Sequence, residues 1–333
     1  MFIEASAFHA HLLRKRISVS WKLSPIVLSC SLCPWVHESA NVRTLLLHNP
    51  TAGAAHPNAD ELVRQLKAAG FRPKYQSSKD DYKQALRKRW DLVIVAGGDG
   101  TVARVARRLR NREIPLAILP IGTANNIARA LGLNGDIETL ISHLRTAEPK
   151  RLDIGMARGP WGKRRFLEAV GFGTIAKAIA HSGPKPPKAL RIDMGREELQ
   201  KYFEEARAER FEIDVDGEVF AGEFLLVEIL NLGRTGPALP ISFTAEHDDG
   251  MLDVVFVFKN DRAPMLAWLN NPEDAPPPVT VRKGRSVRLK WEHSHARIDD
   301  RVYLPPESVS PIKITVEGDG LRVLVPELTR LER

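Results

Sequence analysis

Cysteine is almost missing. The 333 residues contain two, Cys30 and Cys33, so nothing from residue 41 onward can rest on a disulfide, which suits a reducing compartment. Long apolar runs are missing too. A membrane-spanning helix needs about 20 consecutive apolar residues, and the best stretch, Ile26 to Val36, is broken by Ser29, Ser31 and Pro34. An integral membrane protein is therefore not expected. No Walker lysine follows a glycine loop and no GxGxxG occurs, which argues against a P-loop NTPase and an ordinary dinucleotide fold.

What is present suffices for two cores: 333 residues, of which 43% are hydrophobic, at about 150 residues per domain. Lysine and arginine number 49 against 41 acids, and the resulting +8 favours phosphate-bearing ligands and anionic surfaces. Residues 1–41 hold Arg14, Lys15, Arg16 and Lys22 and read as a poorly ordered N-terminal extension rather than a targeting peptide. Cys30-Ser31-Leu32-Cys33 within it lacks the further ligands or the βαβ context that would give a CxxC pair a task.

From residue 42 to 150 strands and helices alternate. Thr44 to His48 is a short apolar strand closed by Asn49-Pro50-Thr51-Ala52-Gly53. Asn58 caps a helix with Leu62, Val63 and Leu66 on one face, and Gly70 ends it. Phe71 to Gln76, Asp91 to Ala96 and Ile114 to Leu119 read as strands, and Asp80 to Arg89 as a helix. This order predicts a parallel sheet covered on both faces, with ligands beyond the carboxyl ends of its strands.

Two such ends carry unusual loops. Gly97-Gly98-Asp99-Gly100-Thr101 runs from a strand straight into a helix, where backbone N–H groups can cradle phosphate oxygens. Asp99 would repel that phosphate without an intervening cation, which points to magnesium. Pro120-Ile121-Gly122-Thr123-Ala124-Asn125-Asn126 follows the next strand and again opens a helix, so both loops are expected on one rim.

These motifs, in this order and at these separations, resemble the diacylglycerol kinase catalytic-domain superfamily, particularly its bacterial soluble lipid kinases. Ala169-Val170-Gly171-Phe172-Gly173, the strand ending at Asn231 and Asp248-Asp249-Gly250-Met251-Leu252-Asp253 extend the similarity over about residues 42–330. The resemblance implies an α/β nucleotide-binding domain with a parallel sheet at 42–150, to which 318–333 return, and a second β-rich, sandwich-like lipid-binding domain at 151–317. Phe211 to Val215, the Asp216-Gly217 turn and the apolar run Phe224 to Ile229 support a β-rich second half independently. The resemblance also implies ATP and Mg2+. Asn49, Thr51, Ser77, Gly97, Gly98, Asp99, Gly100, Thr101, Gly122, Thr123 and Asn125 would contact the nucleotide. Asp249, with the backbone carbonyls of Glu246 and Met251, would hold an additional structural magnesium.

Two positions depart from the family pattern. The family's Asp-Gly-Glu, whose glutamate is thought to accept the hydroxyl proton, corresponds here to Asp299-Asp300-Arg301, and a guanidinium cannot accept a proton. Asp299 or Asp300 would then serve from a shifted turn, or Asp99 would, or the chain is an impaired relative. Asn126 stands where many members have aspartate. Asp216-Gly217-Glu218 has the right letters but reads as a surface hairpin, and the pair His293 and His295 as solvated.

The expectation is thus a cytoplasmic lipid kinase, peripheral to the membrane, that phosphorylates a hydroxyl of a diacylglycerol-like or other long-chain lipid. A lipid-binding or regulatory relative, and less so an NAD kinase, are the alternatives. A nucleic-acid partner is not expected, and a homo-oligomer is compatible with the sequence.

Overall fold

The computed structural model describes residues 42–52, 57–183 and 186–327. The N-terminal extension with Cys30 and Cys33, and Gly53 of the first turn, lie outside them. In β1 (Val42–His48) Leu45, Leu46 and Leu47 are fully buried, because both faces of the strand are covered. Helix α1 (Ala59–Ala68) starts where Asn58 Oδ1 accepts the Glu61 N–H at 2.9 Å, and buries Leu62 and Leu66. Gly70, at φ +82°, ends it and leads into β2 (Phe71–Ser77).

The helix expected at Asp80 to Arg89 is replaced by turns and a short 3-10 segment, Ala85–Arg87. Only Tyr82 and Leu86 are buried there, with Ala85 packed beside them, too little apolar contact to repay helix nucleation. The alternation resumes with β3 (Leu92–Gly97), α2 (Asp99–Ala106), β4 (Leu116–Pro120), α3 (Asn126–Ala130), α4 (Ile137–His143) and β5 (Glu148–Leu152).

The second half contains β6 (Gly155–Gly159), β7 (Gly162–Phe166), β8 (Ala169–Gly173), α5 (Thr174–His181), α6 (Arg191–Glu205), β9 (Glu209–Val215), β10 (Glu218–Leu230) and β11 (Leu252–Phe258). It continues through α7 (Arg262–Asn270), β12 (Thr280–Gly284), β13 (Ser286–Trp291), β14 (Ala296–Ile298), β15 (Arg301–Tyr303), β16 (Ser310–Val316) and β17 (Leu321–Val325).

One sheet has the order β2-β1-β3-β4-β17-β5. Its first four strands are mutually parallel, and β17 returns from the far end of the chain, parallel to β4 and antiparallel to β5. The other sheet has eleven antiparallel strands. Its long strand β10 pairs with β9 through its first half and with β8 through its second, with a register shift between Phe224 and Leu226 where the pairing changes. The branches enclose an aromatic core that includes Phe166, Phe172, Phe224, Phe256 and Trp291. Helices α5, α6 and α7 cover the opposite face through Ile175, Leu199, Phe203, Met265 and Trp268. This places α5 and α6 beside the rim that carries the two glycine loops.

Candidate functional site

The two loops meet main chain to main chain. A Cβ built on Gly122 would stand 2.3 Å from Gly98 Cα, and one built on Gly98 would stand 2.9 Å from Gly122 Cα. Only glycine at both positions allows this contact. Asp99 then crosses from one loop to the other: its Oδ1 accepts the Ile127 N–H at 2.9 Å and so caps α3. Burial raises its pKa against the pull of the surrounding amides. Asn125 takes a left-handed conformation, φ +49°, and donates from Nδ2 to the Pro120 carbonyl at 3.1 Å. Its Oδ1 and that of Asn126 are buried without a hydrogen-bond partner among the described residues.

A cavity of about 970 Å³ opens from these loops. At one end stand Asp99, Gly100, Thr123, Asp299 and Asp300; at the other, Ile175, Ala178 and Ile179 of α5 and Met194, Leu199 and Tyr202 of α6. One continuous space therefore joins a phosphate-type loop pair to an apolar channel. Leu190 and Met194, both exposed, sit on the same helical segment.

The expected site residues divide into groups. Asp99, Gly100 and Thr123 line the cavity, whereas Gly97, Gly98, Thr101, Gly122 and Asn125 build the loops behind it. Asn49 donates from Nδ2 to Thr101 Oγ1 at 3.3 Å and accepts the Thr51 hydroxyl at 3.0 Å, which ties the end of β1 to the first loop. Ser77 ends β2 on the same rim, but its hydroxyl accepts the Lys79 N–H at 3.1 Å and shapes its own turn rather than the cavity.

The hairpin between β14 and β15 carries Asp299, Asp300 and Arg301. Asp299, at φ +50°, is buried. It accepts the Leu167 and Glu168 amides, at 3.1 and 2.9 Å, and pairs with Arg107. Burial raises its pKa against these partners. Through these contacts it pins the hairpin to α2 while still lining the cavity. Asp300 is exposed, accepts no hydrogen bond among the described residues, and lies over the first loop. Its Oδ2 is 2.9 Å from the point a Cβ on Gly100 would occupy. Arg301 turns to the opposite side of the hairpin, over the Tyr303 ring at 5.3 Å, into a cleft lined by Arg104, Arg108, Lys163 and Arg164.

Sequence reasoning overlooked a buried charge network on the cavity floor. Arg297 donates to Glu228 Oε2 at 2.6 Å, to Glu168 Oε1 at 3.4 Å and to Thr235, and Asn126 Nδ2 donates to Glu168 Oε2 at 3.2 Å. The carboxylate absent at position 126 thus stands one hydrogen bond away. Burial pushes Glu168 up to about 8, offset in part by Arg297. Burial alone would lower Arg297, but Glu228 and Glu168 outweigh it. The signal was available: Glu168 and Glu228 are lone acids inside apolar strand runs, which demands a buried partner.

Asp249, Glu246 and Met251 do not line the cavity. Asp249 Oδ1 accepts the Met251 N–H at 2.9 Å, and its Oδ2 accepts from Lys283 Nζ at 2.8 Å. An ammonium therefore sits where a divalent ion would need the same oxygen, and the residues present do not fit the expected structural magnesium.

Comparison with known proteins agrees with this architecture. Residues 43–157 match the diacylglycerol kinase catalytic domain, and residues 169–325 match the YegS C-terminal NAD kinase beta sandwich-like domain. A diacylglycerol kinase of Bacillus subtilis (strain 168) is 25% identical over 240 residues, 67% of this chain and 76% of the relative. One from Staphylococcus saprophyticus is 27% identical over 264 residues, 74% and 84% of the two chains. A crystal structure of a diacylglycerol kinase from Bacillus anthracis str. Sterne has the same fold, with a TM-score of 0.62 and 22% identity over 87% of this chain and 98% of that one. The two halves are thus matched in order, a diacylglycerol kinase catalytic domain followed by a YegS C-terminal domain, with the glycine loops of the first joined at one cavity.

Proposed function

We propose that the protein is an ATP-dependent lipid kinase that phosphorylates a hydroxyl of a diacylglycerol-like or other long-chain lipid. The observation that carries this reading is the single cavity that joins Asp99, Gly100 and Thr123 to the apolar walls of α5 and α6. A water-soluble acceptor has no need of the apolar half, and a pure lipid carrier has no need of the glycine loops.

The roles follow from position. The Thr101 and Val102 amides are taken by the Gly98 carbonyl, which leaves the Gly100 amide at the start of α2 to meet the γ-phosphate end of the nucleotide. Asn126 and Asp99 line the cavity and would offer oxygen donors to a nucleotide-bound magnesium; the ion would neutralise charge on the phosphoryl oxygens. The acyl chains occupy the channel beside Ala178, Ile179 and Leu199, which brings the headgroup hydroxyl to Asp300. The lipid oxygen then forms a bond to the γ-phosphorus, the bond from that phosphorus to the bridging oxygen of ADP breaks, and the hydroxyl proton passes to the Asp300 carboxylate. Asp300, free and cavity-facing, takes the part for which Arg301 is chemically unsuited. That placement favours an active kinase over an impaired relative.

Among the described residues no helix is long and apolar enough to cross a membrane. The basic cleft around Arg104, Arg108, Lys163, Arg164 and Arg301 supports contact with an anionic membrane. The deciding experiment incubates purified protein with magnesium, γ-labelled ATP and diacylglycerol in mixed micelles. A labelled phospholipid is expected, and its loss in Asp300→Asn with ATP binding intact. No labelled product from diacylglycerol or from any other long-chain hydroxylated lipid would reject the reading.

A further inference from the structure

We infer that the Lys283 ammonium is a built-in cation, held by Asp249 and Asp253, that replaces a divalent metal at the turn formed by residues 246–251 and so fixes one wall of the cavity without any ion from solution.

At this turn the Asp249 carboxylate is already fully engaged. Of the two Asp249 oxygens, one takes the Met251 N–H at 2.9 Å and the other takes Lys283 Nζ at 2.8 Å. Asp253, buried on β11, stands directly across the ladder from Lys283 on β12, and its Oδ1 lies 3.9 Å from Nζ. Asp153 is engaged too, accepting the Gly250 N–H at 2.7 Å and Arg151 Nε at 2.9 Å. Among the described residues no group of three or more histidine, cysteine, aspartate or glutamate side chains is arranged to hold a metal ion. Calcium takes about 6–8 oxygens and magnesium six in near-octahedral array. Two carboxylates already shared with an ammonium offer neither, and the ammonium would repel a second cation at contact distance.

The consequence reaches the cavity through short links. Asp253 Oδ2 accepts the hydroxyls of Ser242 and Thr244, each at 2.5 Å. The Ser242 N–H bonds to the Gly233 carbonyl at 3.0 Å, and the same loop presents the Gly236 carbonyl to Asn126 Nδ2 at 3.1 Å. Gly236 and Pro237 line the cavity. Lys283 is thus a positioning residue: it neutralises Asp249 and Asp253, and Asp253 holds the loop that carries this wall. A tethered ammonium, unlike an ion, is not lost to chelation or dilution.

The test uses the full chain free of nucleotide and lipid, so it stands whether or not the chain transfers a phosphoryl group. Manganese binding is counted by electron paramagnetic resonance, and thermal unfolding is followed in EDTA and in magnesium chloride. Wild type and Asp249→Asn should bind the same number of manganese ions, and wild-type unfolding curves should superimpose in the two solutions. Lys283→Met, which keeps the apolar stem, should melt at a lower temperature in EDTA and regain stability when magnesium or calcium is added. A manganese ion bound by wild type and lost in Asp249→Asn would overturn the inference, and so would a Lys283→Met protein that neither cation stabilises. Should that variant fail to fold, the comparison of wild type with Asp249→Asn decides alone.

Discussion

Asp300 and Arg301 are adjacent in sequence and point to opposite sides of the hairpin: the carboxylate overhangs Gly100 in the cavity, while the guanidinium lies over Tyr303 in the basic cleft. The two positions should therefore respond differently to substitution. Asp300→Asn keeps the shape and removes the proton acceptor, and general-base removal typically costs about 10²–10⁴-fold in rate. We expect kcat for lipid phosphorylation to fall in that range with KM for ATP nearly unchanged. Arg301→Glu should restore nothing, because its new carboxylate enters the other cleft. Steady-state kinetics of both variants check the pair; a gain of activity in Arg301→Glu would move the base to position 301.

The contact between glycine loops makes a second prediction. Gly122→Ala brings a Cβ within 2.3 Å of Gly98 Cα, where the obstacle is main chain and cannot rotate aside. Overpacking of this kind typically costs about 1–3 kcal/mol. The variant should melt earlier and bind ATP more weakly, measured by calorimetry. Gly318→Ala, where a Cβ meets nothing within 4 Å, is the control and should change neither.

What the sequence revealed and what it hid have a common physical basis. The parallel sheet was legible because strands such as Leu92–Gly97 are apolar throughout and end in glycine loops, a local pattern. The convergence of Gly98 and Gly122 followed from topology, since both close neighbouring parallel strands. Helices α5, α6 and α7 went unread, although α5 and α6 wall the channel. Helix α6 buries only Leu199 and Phe203 in fifteen residues, so its apolar periodicity is faint. The Arg297 network joins residues 60–130 positions apart, and Lys283 meets Asp249 across 34, partnerships that no local spacing encodes.

The basic cleft should govern attachment to membranes. Arg108 and Arg164 have no acidic partner among the described residues, unlike Arg107 and Arg165, which pair with Asp299 and Glu317. At about 1 kcal/mol per basic residue near an anionic surface, neutralising both in Arg108→Gln/Arg164→Gln should weaken binding to phosphatidylserine vesicles roughly 30-fold. The loss should shrink as salt screens the surface. Turnover of lipid dispersed in neutral micelles should stay at the wild-type level. Vesicle co-sedimentation at two ionic strengths is the measurement, and undiminished binding by the double variant would remove the cleft from the membrane contact.

The buried network makes stability depend on pH in a specified direction. Glu168 titrates at about 8 in the folded protein, because burial penalises its charge, whereas in the unfolded chain it titrates in the ordinary carboxylate range. Between those values the native state keeps a proton that the unfolded state has released. Stability must then fall as pH rises from the carboxylate range to about 8 and level off above it. Asp99, Glu228 and Asp299 are also raised by burial and push the same way, so the diagnostic quantity is the difference from Glu168→Gln. That variant keeps an acceptor for Asn126 and Arg297 but has no proton to lose, and its urea-unfolding free energy should decline less steeply with pH. Equal slopes in the two proteins would show that Glu168 is already ionised at neutral pH and that Arg297 outweighs its burial.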